Sequence, residues 1–329
     1  MAGLDLTLAC GHYDRTEGLR DGTVRIEGVN LTYLDLPVEE TFFRMARFAE
    51  FDLAELSLAS YVISLERGAP FIAIPAFPSR MFRHSGIYVN TAAGIAGPAD
   101  LAGRTVGLAE YQLTANVWIR GILAEHHGVP VTSVTYRTGG LHRPGRVEKI
   151  AVELPADVRI APIGPTETLA ELLVSGEIDA LYSPRTPEPV RAGRPEVARL
   201  FADPGAEERR YYQRTGIFPI MHVVVLRREL YERHRWLARS VFKGFEQARR
   251  QAMAGIDETA AVPYLLPWLA EEVARTRAIL GSDYWPYGLP ANELPLGTFL
   301  RYLHAQGLTR TALAPADLFA PEALAETVV

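Results

Sequence analysis

Phe71-Ile-Ala-Ile-Pro-Ala-Phe-Pro-Ser-Arg-Met-Phe-Arg-His-Ser85 holds the densest chemical signal in this chain. The apolar run Phe71 to Pro75 reads as a strand, and it opens directly into Ser79, Arg80, Arg83 and His84. A buried strand that ends in donors delivers them to a cleft, and arginine forks match the geometry of carboxylates. The competing reading is that these cations only solvate a turn. A second segment, Thr215-Gly-Ile-Phe-Pro-Ile-Met-His222, repeats the arrangement by placing a histidine where an apolar stretch starts. The two segments together predict a small anionic ligand handled by histidine.

Outward from this stretch, strand-like and helix-like segments alternate, the pattern of an α/β protein with mainly parallel sheets. Leu4 to Cys10 and Val29 to Leu36 read as strands, and Glu39 to Ala49 has helical spacing. Asp52 to Ile63 and Phe71 to Ile74 complete a first lobe. Small residues and turn formers over Thr91 to Pro98 mark a change of lobe. Beyond them come a strand at Arg104 to Leu108, a helix at Thr114 to His127 with Thr114 as its cap, and a strand at Val131 to Tyr136. A helix over Thr168 to Ser175 and a strand at Ala180 to Ser183 follow. The apolar run Ile217 to Leu226 then returns the chain to the first lobe, and Glu229 to Ala254, Thr259 to Leu280 and Glu293 to Gln306 read as helices. The expected organisation is a first lobe of residues 1–92 and 218–329, carrying the C-terminal helices, with residues 93–217 inserted as a second lobe. Two crossovers between such lobes predict a ligand cleft between them.

Composition narrows the partners. The chain has 329 residues and a formal net charge of -5, with a pI near 6.0, which disfavours nucleic acid and anionic membrane as partners. A hydrophobic content of 48 % with 22 % charged residues excludes extended disorder, and no apolar run approaches the length of a bilayer span. The single cysteine, Cys10, forms no internal disulfide. The opening residues lack a basic region, and Asp5 interrupts a short apolar stretch, so they read as a first strand and not as a secretory signal. The expectation is a cytoplasmic protein, with homo-oligomerisation left open. Phosphate loops, serine nucleophile elbows and dinucleotide fingerprints are absent from the sequence, as is close His/Cys/Asp spacing for a metal.

The chain resembles the 4,5-dihydroxyphthalate decarboxylase family. The resemblance rests on His12-Tyr-Asp14, Phe51-Asp-Leu-Ala-Glu-Leu-Ser57, Ile74 to Ser85, Asp100-Leu-Ala-Gly-Arg-Thr-Val-Gly107, Thr114 to Gly121, Thr215 to His222 and Trp285-Pro-Tyr-Gly288. The Phe-Arg-His and Pro-Ile-Met-His stretches are specific to it, whereas Asp100 to Gly107 is common among binding proteins. Leu56 stands where the family pattern has methionine, and residues 142–157 align with nothing. The resemblance implies a two-lobed fold of the type II periplasmic-binding-protein kind, used for catalysis.

It further implies decarboxylation of a hydroxylated aromatic dicarboxylate, with 4,5-dihydroxyphthalate to protocatechuate as the nearest example. A hydroxyl para to the departing carboxylate becomes ketone-like as the ring carbon is protonated, so the reaction requires no organic cofactor, and no metal is expected. The protein must supply an acid, cations for the spectator carboxylate and a poorly solvated wall. His84, His222 and His12 are the candidates for proton transfer, since histidine titrates near neutral pH. For His222 a core histidine is an equal rival, and for His12 a turn cap is. Arg80 and Arg83 are the candidates for carboxylate binding, with hydrogen bonds from Ser57, Ser79, Gln112 and Thr114 and a further contact at Arg185. Two alternatives stay open: a solute-binding protein for a small aromatic or carboxylate ligand, and a dehydratase on the same scaffold.

Overall fold

The computed structural model describes residues 3–68, 70–262 and 264–324. In chain order its strands are β1 (Leu4–Cys10), β2 (Val29–Asp35), β3 (Leu53–Ser57), β4 (Phe71–Ile74), β5 (Ile87–Asn90), β6 (Thr105–Leu108), β7 (Thr135–Thr138), β8 (Arg159–Pro162), β9 (Ala180–Tyr182), β10 (Val197–Arg199) and β11 (His222–Arg227). The chain divides into two compact units. One contains the described residues of Met1–Arg80, Ile220–Gly297 and Leu313–Val329, and the other contains Met81–Pro219 and Thr298–Ala312.

The first unit is built on a five-stranded sheet of order β2-β1-β3-β11-β4. β1 runs parallel to β2 and β3, whereas β11 is antiparallel to both β3 and β4. All five residues of β3 are buried, as interior strands with both faces covered should be. Val223 to Leu226 on β11 are wholly excluded from solvent, and burial of each such aliphatic side chain stabilises the unit by about 1.5–3 kcal/mol. Glu55 is the charged residue among those of β3, and His222 opens β11 opposite Ser57. Sheet pairing therefore places a carboxylate and an imidazole on adjacent strands, two residues apart in register.

The second unit carries a six-stranded sheet of order β10-β5-β9-β6-β7-β8. Its core includes Tyr88, Leu169, Leu173, Ile178 and Leu181. Residues 81–92, expected with the first lobe, pack here because β5 pairs antiparallel with β9 and β10. Residues 298–312, also expected with the first lobe, do the same. Phe299 stacks on Trp118 at 5.3 Å, and Tyr302 covers Gly121 so closely that an added Cβ would overlap its ring.

Helix ends depart from the sequence reading in three places. The helix Thr114–His127 is preceded by Leu113 in the cap position, so Thr114 is its first residue and not its cap. The expected helix Glu229 to Ala254 is two helices, Arg228–Arg233 and Trp236–Gly255, because His234 leaves helical geometry at φ -139°. Of the expected helix Thr259 to Leu280, Leu269–Leu280 is helical; Pro267, which lacks a backbone donor, stands before it, and Pro263 lies outside the described residues. Among the described residues, no helix is long and apolar enough to cross a membrane.

Candidate active site

Taking a carboxylate out of water costs several kcal/mol unless donors replace the lost solvation. Glu55 is completely buried, and both of its oxygens are supplied. Oε1 accepts from the Tyr13 hydroxyl at 2.8 Å and lies 2.5 Å from His222 Nδ1. Oε2 accepts from the Gly11 backbone N–H at 3.0 Å and from the Cys10 thiol at 3.5 Å. Burial pushes this carboxyl up, but the His222 ring and the donors from Gly11 and Tyr13 outweigh it and hold Glu55 below the usual carboxylate range. Beside it, burial and then the Glu55 charge push the Cys10 thiol well above its ordinary value. Cys10 is thus a protonated donor and not a thiolate nucleophile.

The Glu55–His222 contact fixes the imidazole. With Nδ1 donating to the carboxylate, Nε2 is the atom that takes or gives a proton. The side chain is 17 % exposed, and Phe42 meets the ring edge-on at 4.8 Å, an apolar wall on one side. Tyr33 completes the support by donating to the Gly11 carbonyl at 2.8 Å. Ser57 lies directly opposite His222 across the ladder, and the Ser79 carbonyl accepts from Met221 N at 2.8 Å and His222 N at 3.3 Å. Three of the predicted residues, Ser57, Ser79 and His222, therefore gather on β3, β11 and the segment after β4.

Arg80 and Arg15 tie neighbouring segments of the first unit together. Arg80 is buried and donates through Nη2 to the Pro286 carbonyl at 2.8 Å and to the Asn292 side chain. Asn292 in turn donates to Pro286 and Gly288, and Gly288 N donates to the Pro75 carbonyl at 2.8 Å. The guanidinium thus ties the Trp285–Gly288 loop to the segment that the sequence reading started from. Arg15 lies between two aromatic faces, 4.2 Å from the Tyr13 centroid and 4.3 Å from that of Trp285, and donates to the Pro78 carbonyl. Trp285 donates to the Phe77 carbonyl at 3.0 Å.

His12 is placed otherwise. Its side chain is 58 % exposed, with Nε2 3.0 Å from Glu17 and Nδ1 3.8 Å from Asp35. It lines a hollow of about 400 Å³ together with Asp14, Glu17 and Asp21. Those carboxylates oppose a doubly negative ligand.

The remaining predicted residues belong to the second unit. Arg83 is drawn down to about 10 by burial, against the opposing charge of Glu208, and Glu208 also accepts from Ser85 N at 3.1 Å. His84 is buried, and neither ring nitrogen has a hydrogen-bond partner among the described residues. Burial draws its imidazole down to about 4. Gln112 and Thr114 are buried around the start of the helix Thr114–His127, and Gln112 Nε2 donates to the Ile150 carbonyl at 3.0 Å. Arg185 is exposed, and its backbone N–H donates to the Ser183 hydroxyl at 3.2 Å.

Glu55, Tyr13 and Arg15 were not among the residues nominated from the sequence. A glutamate inside the apolar run Leu53 to Leu56 is the signal that points to the first, since a charge on an interior strand requires a reason.

Comparison with known proteins follows the same lines. No protein-family model matches the chain. It is 41 % identical over 325 residues to a 4,5-dihydroxyphthalate decarboxylase from Comamonas testosteroni, covering 98 % of each chain. A protein of the same name from Pseudomonas putida is 45 % identical over 214 residues, 65 % of this chain and 83 % of that one. Among solved structures, the periplasmic aliphatic sulphonate binding protein SsuA from Escherichia coli superposes with a TM-score of 0.54 at 13 % identity, over 98 % of this chain and 99 % of that one. The desulfurization enzyme DSZB superposes with a TM-score of 0.50 at 15 % identity, over 98 % of this chain and 97 % of that one. At those identities the structures share a fold with this chain, the periplasmic-binding-protein type, and nothing more. Sequence identity across nearly the whole length places the chain in the 4,5-dihydroxyphthalate decarboxylase family.

Proposed function

We propose that the protein is a carboxy-lyase that converts 4,5-dihydroxyphthalate to protocatechuate and carbon dioxide, with His222 as the proton donor and Glu55 as the group that orients it. Membership of the decarboxylase family supports the reaction. The observation that carries the assignment of roles is the 2.5 Å contact between His222 Nδ1 and a carboxylate with no exposure to water.

The chemistry follows from that contact. In its protonated form His222 gives the Nε2 proton to the ring carbon that bears the departing carboxylate, while the para hydroxyl takes up positive charge as a ketone-like oxygen. The carbon–carbon bond then breaks, carbon dioxide leaves, and the bonding pair restores the aromatic ring. Nε2 regains a proton from water. The Glu55 charge stabilises the imidazolium that precedes transfer and keeps the ring in the orientation that presents Nε2. Ser57, directly across from His222 in the strand pairing, is a candidate for a hydrogen bond to the substrate. The edge of Phe42 supplies low-polarity surface beside the reacting group.

A role in aromatic-compound catabolism and a cytoplasmic location complete this reading. Self-association is supported by the exposed apolar side chains Leu265, Leu266 and Trp268.

The direct test is carbon dioxide release from purified protein over a panel of hydroxylated phthalates, with product masses recorded. Turnover of 4,5-dihydroxyphthalate with loss of carbon dioxide is expected. Tight capture without product would indicate a binding protein, and loss of water would indicate a dehydratase; either removes the proposal.

A further inference from the structure

A second polar cluster, wholly inside the second unit, is unlike the first in that its imidazole nitrogens are left unpartnered among the described residues. His84 opens the short turn His84–Gly86, His127 ends the helix Thr114–His127, and Glu207 lies in the first turn of the helix Pro204–Thr215. One ligand atom from each of the three lies within 4.8 Å of the others. Gly128, at φ +65°, stops the helix and leaves His127 at its end, where the left-handed conformation favours glycine. Both nitrogens of His84 and Nε2 of His127 are buried without a hydrogen-bond partner among the described residues. Tyr211, whose ring lies 5.1 Å from that of His84, is buried with its hydroxyl unpartnered as well. Phe201 closes the apolar side, 5.6 Å from the His84 ring and 5.8 Å from that of His127.

Buried polar atoms are almost always partnered, and several orphans around one point call for a ligand. Two imidazoles and a carboxylate form a donor set suited to zinc and related divalent ions. Bonds of about 2 Å in a tetrahedral site set donor atoms about 3.3 Å apart, a distance that small side-chain rotations reach from the present spacing. Glu207 holds one surface partner, Arg210 at 3.2 Å, whose side chain is 69 % exposed. That pair is weakly held and gives way readily.

We propose that His84, His127 and Glu207 bind a divalent transition-metal ion that ties the turn after Arg83 to two helices of the second unit. This does not depend on the decarboxylase reading and assigns the ion no part in the reaction.

The test uses the untagged full chain, freed of metal with a chelator and then titrated with zinc against a chromophoric competitor. Wild type is expected to take up one zinc per chain, to show the intense visible absorption of tetrahedral cobalt when cobalt replaces zinc, and to melt at higher temperature with zinc than without. His127→Gln and Glu207→Gln, each confirmed as folded by circular dichroism, should weaken zinc binding at least about tenfold. Failure of wild type to take up zinc, or to give the cobalt spectrum, overturns the proposal without reference to any variant. Unchanged affinity in both folded variants overturns it as well.

Discussion

Glu55 in the first unit and His84 in the second are equally hidden from solvent, yet their charges are resolved in opposite directions. Glu55 stays ionised because two donors reach each of its oxygens, and they outweigh the pull of burial. His84 has no partner at either nitrogen among the described residues, so burial prevails and the ring is neutral. Burial alone therefore does not decide what a hidden titratable group does; the donors and acceptors placed around it do. The first cluster has its hydrogen-bonding partners within the protein, whereas the imidazole nitrogens of His84 in the second have none among the described residues.

Removing the imidazole from the first cluster should have the largest effect. His222→Asn should lower kcat by about 10²–10⁴-fold, the usual worth of a positioned acid, with KM within a few-fold of wild type. Steady-state kinetics on 4,5-dihydroxyphthalate checks this. A kcat near that of wild type would move the acid elsewhere and leave Glu55 as a structural charge.

Glu55→Gln keeps the shape and removes the charge. It should lower kcat by about 10²-fold or more, since the imidazolium loses its counter-charge and its fixed orientation. Stability supplies a second readout. The Glu55 carboxyl is held below its unfolded value, so the stabilisation it provides is present above about pH 4.5 and is lost as pH falls through the lower folded value. Thermal melts of wild type between pH 6 and about pH 3 should show this acid limb, and the Gln variant should show a shallower one. Equal slopes would mean that the donors around Glu55 do not favour its charged form. Tyr13→Phe removes one of the four donors and nothing else. A hydrogen bond to a charged group is worth about 1.5–3 kcal/mol, so the expected loss is about tenfold or somewhat more in kcat, measured alongside the other two.

The contrast between the units also explains what could be read from the sequence. Leu4–Cys10 and Phe71–Ile74 are bounded in the structure as periodicity and turn residues predict, because local patterning governs where such elements begin and end. The family was legible from stretches such as Pro219-Ile-Met-His222, where residue identity is itself the signal. Two things were not legible. Glu55 sits one strand away from its partner His222, and pairing of β3 with β11 joins segments far apart in the chain. His84, His127 and Glu207 come from three separate elements, so no short spacing announces a metal. Arg80 shows a third limit: the contacts of its guanidinium to Pro286 and Asn292, which anchor the Trp285–Gly288 loop, join segments about 200 residues apart and have no signal in the sequence around it. Sequence proximity groups residues that can carry chemistry, but long-range packing decides which of them lie together.

His12 offers the smallest and most discriminating comparison with the Glu55–His222 pair, because both are histidine–carboxylate contacts in the same unit. His222 meets a wholly buried carboxylate at 2.5 Å. His12 meets Glu17 at 3.0 Å in a setting where more than half of its side chain is in solvent, and exposed pairs of this kind contribute about 0–1 kcal/mol. Its neighbours Asp14, Glu17 and Asp21 also oppose the approach of a dianion. His12→Gln is therefore expected to leave kcat and KM within about twofold of wild type and to shift the melting midpoint little. A kcat loss on the scale of His222→Asn would show that solvent exposure does not disqualify a histidine here. The proton would then reach the ring from the helix Asp14–Arg20 side of the unit, and not from β11.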